Sequence, residues 1–213
     1  GWSVGVVAQS HAVVEHLLAR VVDAGVDPAA VGKKPAAPGG RSGPGASAAT
    51  PWTSLQGTGA FGRFYAGRSG GYVVGGTLWD LTHPDRLPAG GFDLLVVDEA
   101  GQFSLANTFA VAPAARNLLL LGDPQQLPQV SQGHHPEPVD ASALGWLTDG
   151  HDTLPPGLGY FLDATWRMHP ALCATVSDLA YDGRLHAVPA AAERHLDGVA
   201  PGVRTVLVEH DGN

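Results

Sequence analysis

Four short apolar runs, at residues 4–8, 72–75, 92–97 and 117–121, are continuous rather than alternating in hydrophobicity. A strand with one wet face alternates apolar and polar side chains, because successive side chains point to opposite faces. A strand covered on both faces does not alternate, which marks a parallel sheet with helices above and below. Helical stretches stand between the runs. Residues 11–23 place Val13, Val14, Leu17, Leu18 and Val21 on one stripe, and residues 104–115 are rich in alanine. Buried strands alternating with helices predict an α/β fold with a doubly wound sheet.

The third run ends in chemistry. Phe92-Asp93-Leu94-Leu95-Val96-Val97 leads directly into Asp98-Glu99, then Ala100-Gly101-Gln102. Ligands of open α/β sheets bind beyond the carboxyl ends of the strands. Two adjacent carboxylates there suit phosphoryl transfer, in which one holds Mg²⁺ and the other orients a water. Acidic residues are also common in solvated turns, so the pair alone leaves both readings open. The next run is followed by Gly122-Asp123-Pro124-Gln125-Gln126-Leu127-Pro128, which predicts a second polar turn on the same sheet edge. After a Gly/Pro/His-rich connection at residues 132–158, a new unit begins and carries Trp166-Arg167-Met168-His169-Pro170. A strand is expected at 159–162, a helix at 171–182 and a further strand at 203–208.

These three motifs together resemble the motor core of superfamily 1 helicases, in the branch that includes the nonsense-mediated-decay helicase. The resemblance implies a RecA-like parallel sheet of the P-loop NTPase fold at residues 1–155, with a mobile insertion at about 33–70, and the start of a second RecA-like domain at 156–213. It implies ATP and Mg²⁺ as cofactors and single-stranded DNA or RNA as partner. By the same resemblance Asp98 holds the metal, Glu99 polarises water and Gln126 senses the γ-phosphate beside Gly122 and Asp123. Trp166 takes the place of the family's base-stacking tyrosine, and Arg167 that of its arginine finger. Ser10 and His11, with Thr77 as a weaker candidate, fall in strand-end segments that contact nucleic acid in the family. From the residues alone, Ser10 reads equally well as a helix N-cap. Residues 94–138 further resemble a bacterial group in which such a core follows a RecB-like nuclease domain, a partner expected in the same parent chain; no nuclease-type carboxylate cluster stands in this sequence.

One required part is missing from this sequence. A phosphate-binding loop needs Gly-x-x-x-x-Gly-Lys-Ser/Thr after a strand. The nearest approach, Gly32-Lys33-Lys34, has Asp27 at the first glycine position and Lys34 at the hydroxyl position. In the family this loop precedes the strand matched here by residues 4–8, so it is expected upstream of Gly1. The chain therefore reads as an incomplete motor, expected by itself to bind ATP weakly and to be marginally stable.

Composition narrows the alternatives. The net charge of −8 argues against a general nucleic-acid coat, although a local groove needs only a few contacts. Cys173 is the single cysteine, so no intramolecular disulfide or cysteine-based zinc site can form, in keeping with a cytoplasmic location. No apolar run is long enough to span a bilayer. His134-His135 lacks companions at metal-ligand spacing. Phe61, Arg63, Phe64, Tyr65 and Arg68 interleave rings and charges as single-strand binders do, but a small hydrophobic patch is the simpler reading. Beside the motor, two other functions remain: a non-catalytic scaffold for nucleic acid or a partner, and an accessory half of a nuclease.

Overall fold

The computed structural model describes residues 1–36, 50–87, 91–127, 133, 135–136, 138–151 and 153–209. Six strands form one sheet in the order β3-β2-β4-β1-β5-β6, and every pairing is parallel. They are β1 (Ser3–Ala8), β2 (Val31–Lys33), β3 (Thr53–Ser54), β4 (Tyr72–Thr77), β5 (Phe92–Val97) and β6 (Ala115–Leu120). Helices α1 (His11–Asp23), α2 (Ala60–Ala66), α3 (Leu78–Leu81) and α4 (Leu105–Val111) stand between successive strands. The fold is α/β with a parallel sheet flanked by helices, consistent with a RecA-like architecture.

Strand β1 lies at the centre. Its residues 4–7 face both neighbours in register, with Val6 opposite Gly75 of β4 and Val96 of β5. Val6, Ala8, Val14, Leu18, Val31, Val73 and Val96 form a buried cluster, and Val13, Leu17 and Val21 of α1 pack against it. The helical stripe read from the sequence is thus the face that covers the sheet. At the amino end, Asp93 accepts from the backbone and hydroxyl of Ser3, at 2.8 and 2.9 Å. These bonds hold the Asp93 carboxyl below its usual range.

Three expectations change. Strand β6 is not buried on both faces. It is a sheet edge, and Leu118 and Leu119 are 42% and 44% exposed, because no described element covers them. The stretch expected to be an insertion at about 33–70 contains regular structure. Its residues 37–49 lie outside the described set, but β3 and α2 fall within it, and Leu55, Phe61 and Phe64 are buried. Lys33, expected at the start of that mobile insertion, is 1% exposed inside β2. Its ammonium donates to Glu15 Oε1 at 2.9 Å and to the Lys34 carbonyl at 3.0 Å, and lies 3.0 Å from His11 Nδ1. A charged lysine can be buried only when its donors are answered, and the carboxylate on α1 makes that possible here.

The chain divides into two compact units, residues 1–146 and 147–213, and the division falls within α5 (Ala143–Thr148). In the second unit, β7 (Ala164–Thr165) and β8 (His186–Ala187) pair in parallel beside α6 (Pro170–Ala180). Residues 159–162 and 203–208, expected as strands, form none, since no described segment offers either a hydrogen-bonding ladder. Arg184 donates to Thr153, which donates to Asp182, each at 2.8 Å, closing this unit onto itself.

Removing one partner from a buried ion pair costs about 3 kcal/mol, because the other charge stays in a dry site. Glu15→Ala is expected to lower the unfolding free energy by that amount in urea denaturation. A loss well under 1 kcal/mol would mean that Lys33 reaches water despite its burial.

Candidate nucleotide and nucleic-acid site

The predicted site residues of the first unit gather at the carboxyl edge of the sheet. Asp98 follows β5, Gly122 and Asp123 follow β6, Ser10 and His11 follow β1, and Thr77 ends β4. In a parallel sheet these ends point the same way, so residues scattered along the sequence share one edge.

Two turns are locked together by backbone bonds. The Asp98 amide donates to the Val7 carbonyl of β1 at 2.9 Å, and the Ala100 amide to the Leu121 carbonyl at 2.7 Å. Leu121 donates in turn to Val97 at 2.9 Å. The turn after β5 is therefore held from both sides. Glycine permits this nesting at two places. A Cβ on Gly101 would overlap the Asp123 carbonyl oxygen, and one on Gly122 would lie 2.7 and 2.8 Å from the amide nitrogens of Gly101 and Ala100. The short polar turns seen in the sequence are in physical contact.

Glu99 has φ of 57°, in the left-handed region that disfavours residues with a Cβ. Its carbonyl accepts from the amides of Gln102 and Phe103 at 2.8 and 3.0 Å, and its amide donates to Asp98 Oδ1 at 3.1 Å. Glycine would adopt this backbone more easily, yet the position carries a carboxylate.

Side chains extend the connection. Gln102 Nε2 donates to Gln126 Oε1 at 2.9 Å, and Gln9 Nε2 donates to the Gln102 carbonyl. A polar chain thus runs from the end of β1, past the Asp98–Glu99 turn, to Gln126. Gln9 and Gln102 received no role from the sequence. The signal for Gln102 was its place in the same motif, four residues after Asp98.

Ser10 caps α1, with the Val13 amide donating to its Oγ at 3.3 Å. His11 opens that helix, half-buried, and its pKa is lowered by burial and then by the Lys33 ammonium. The Thr77 hydroxyl and amide both donate to Asp80, at 3.0 and 3.1 Å, where α3 begins. Asp80 is buried and also pairs with Arg86 at 2.6 Å and Lys34 at 3.6 Å. Thr77 thus has its proton committed inside the fold.

The second unit presents Trp166, 69% exposed, and Arg167, also exposed. Arg194 donates to the Trp166 carbonyl at 3.0 Å, and the Arg167 amide donates to Thr165 Oγ1 at 3.2 Å. His169 caps α6 by accepting from the Ala171 amide, and Pro170 occupies the first turn. The ring-and-arginine cluster of α2 does not present stacking faces. Phe61 and Phe64 are buried, Tyr65 donates to the Arg86 carbonyl, and the Arg68 guanidinium covers Phe64 at 4.3 Å. Among the described residues no three His, Cys, Asp or Glu gather as a metal cluster. His134 lies outside the described residues, as does Pro128.

No protein-family model matches the chain. Over 119 residues, 55% of this chain, it is 33% identical to the DNA-binding protein SMUBP-2 of Mesocricetus auratus. The proteins of the same name from Mus musculus and Rattus norvegicus are 31% and 32% identical over the same length. The matched stretch is 12% of each of these relatives, so the chain spans a small part of their length.

Left-handed backbone costs a non-glycine residue about 1–2 kcal/mol, while glycine loses about 0.5–1 kcal/mol more chain entropy on folding. Glu99→Gly is therefore expected to leave stability unchanged or raise it by up to about 1 kcal/mol in thermal unfolding. A clear loss of stability would show that the Glu99 side chain itself supports the fold.

Proposed function

We propose that the chain is part of an ATP-driven motor that moves on single-stranded nucleic acid, of the superfamily 1 helicase type. The observation that carries this reading is the pair of nested turns, in which a carboxylate is kept at a left-handed position between Asp98 and the Gly122–Gln126 turn. Backbone strain at a charged residue is expected where the charge has work to do. The likeness to DNA-binding relatives supports nucleic acid as the partner.

Mg²⁺·ATP, when bound, supplies the electrophilic phosphorus and the activated leaving group. Asp98 would hold the metal through its water shell, which suits an ion that retains several waters. Glu99 orients the attacking water and takes up its proton. Gln126 reads the γ-phosphate and passes its state through Gln102 and Gln9 to the end of β1, where Ser10 and His11 meet the strand. In the second unit, by the family resemblance, Arg167 would act against transition-state charge and Trp166 against a nucleotide base.

The test is ATP hydrolysis by the full-length polypeptide that carries this chain, with and without a single-stranded oligonucleotide. Glu99→Gln is expected to cut kcat by about 10²–10⁴-fold, the usual contribution of a positioned base, and to leave ATP binding intact. Turnover close to the unsubstituted protein would remove Glu99 from the chemistry. Gln126→Ala is expected to retain basal hydrolysis and lose its stimulation by the oligonucleotide.

A further inference from the structure

The Lys33 ammonium has three protons and three acceptors around it: Glu15 Oε1 at 2.9 Å, the Lys34 carbonyl at 3.0 Å and His11 Nδ1 at 3.0 Å. An ammonium carries no lone pair, so the contact to His11 can be made only if Nδ1 accepts. A neutral imidazole that accepts at Nδ1 bears its proton at Nε2. We propose that Lys33 is a positioning residue that holds His11 as the neutral Nε2–H tautomer, a directional donor for a phosphate of the bound strand. The proposal rests on the reading of His11 as a nucleic-acid contact.

Protonating His11 would place an N–H against the ammonium and take one acceptor from a lysine that is 1% exposed. His11 is also the first residue of α1, where the helix dipole disfavours a cation. The groups facing it are Glu15 on its own helix, Lys33 and Lys34 at the end of β2, and Asp80 on α3. Glu15 and Asp80 favour the charged ring, whereas burial and the two lysines oppose it. Burial and Lys33 are the two largest influences, and the pKa is lowered from 6.5. Asp80 is itself answered by Arg86 and Lys34, which blunts its pull on the ring. Such a contact would bring specific geometry but no positive charge, and so would not add to the salt dependence of binding.

Two-bond ¹H–¹⁵N correlation of the histidine rings in the full 213-residue chain reads the tautomer directly. The expected result is the Nε2–H pattern at neutral pH, with a His11 midpoint below 6.5. Lys33→Met is expected to raise the midpoint and let both tautomers appear. Glu15→Gln, which keeps the lysine and removes a carboxylate, is expected to lower the midpoint further. Desolvation alone would not produce that opposite pair, since methionine leaves the ring no wetter. An Nδ1–H ring, or a midpoint unmoved in Lys33→Met and in Glu15→Gln, overturns the proposal; the second variant decides it if the first fails to fold. Titration with an oligothymidylate separates the two readings. A moving Nε2 signal supports both, whereas a still signal on a fixed Nε2–H ring removes His11 from strand contact and leaves the Lys33 effect standing.

Discussion

The turn after β5 is gripped by backbone bonds on two sides, and the rest of the site depends on that grip. Asp98 donates to β1 and Ala100 to the strand end beyond β6, so the turn cannot move without breaking the sheet's own ladders. That over-determination is what lets Glu99 stay in an unfavourable backbone region. The two glycines then allow the neighbouring turn to approach until backbone meets backbone. Position, strain and contact follow from one arrangement: parallel strands ending together.

The carboxyl edge also carries a second, differently built region. Around β2, α1 and α3, the buried Lys33 is answered by Glu15 and His11, and the buried Asp80 by Arg86 and Lys34. Charged groups so far from water are tolerated only as a closed set. Polar side chains at this edge are therefore divided in use. Some, such as Thr77 and Asp80, stabilise the fold, and others, such as Asp98 and Glu99, remain on the side where ligands of such sheets bind.

Much of this was legible in the residues. Continuous apolar runs at β1, β4, β5 and β6 announced a parallel sheet, and the stripe of α1 marked its covering face. The motif turns were visible because strand-end chemistry uses few residue types at tight spacing. What escaped was non-local. The Lys33 side chain looks solvated until Glu15 of α1 is brought beside it. Strands of two or three residues, such as β2 and β3, have too few positions to show a period. The openness of β6 could not be read from its leucines, because the same run would serve in a buried strand. The bond from Gln102 to Gln126 spans 24 residues and needs the nested turns to form.

Amide hydrogen exchange at the end of β5 tests the central claim most directly. If the turn is clamped from both sides, the amides of Asp98, Ala100 and Leu121 should exchange as slowly as those inside β1 and β5, opening only with global unfolding. Exchange at those three amides as fast as in an exposed loop would contradict the account, because Asp98 and Glu99 would then sit on a turn that the sheet does not hold.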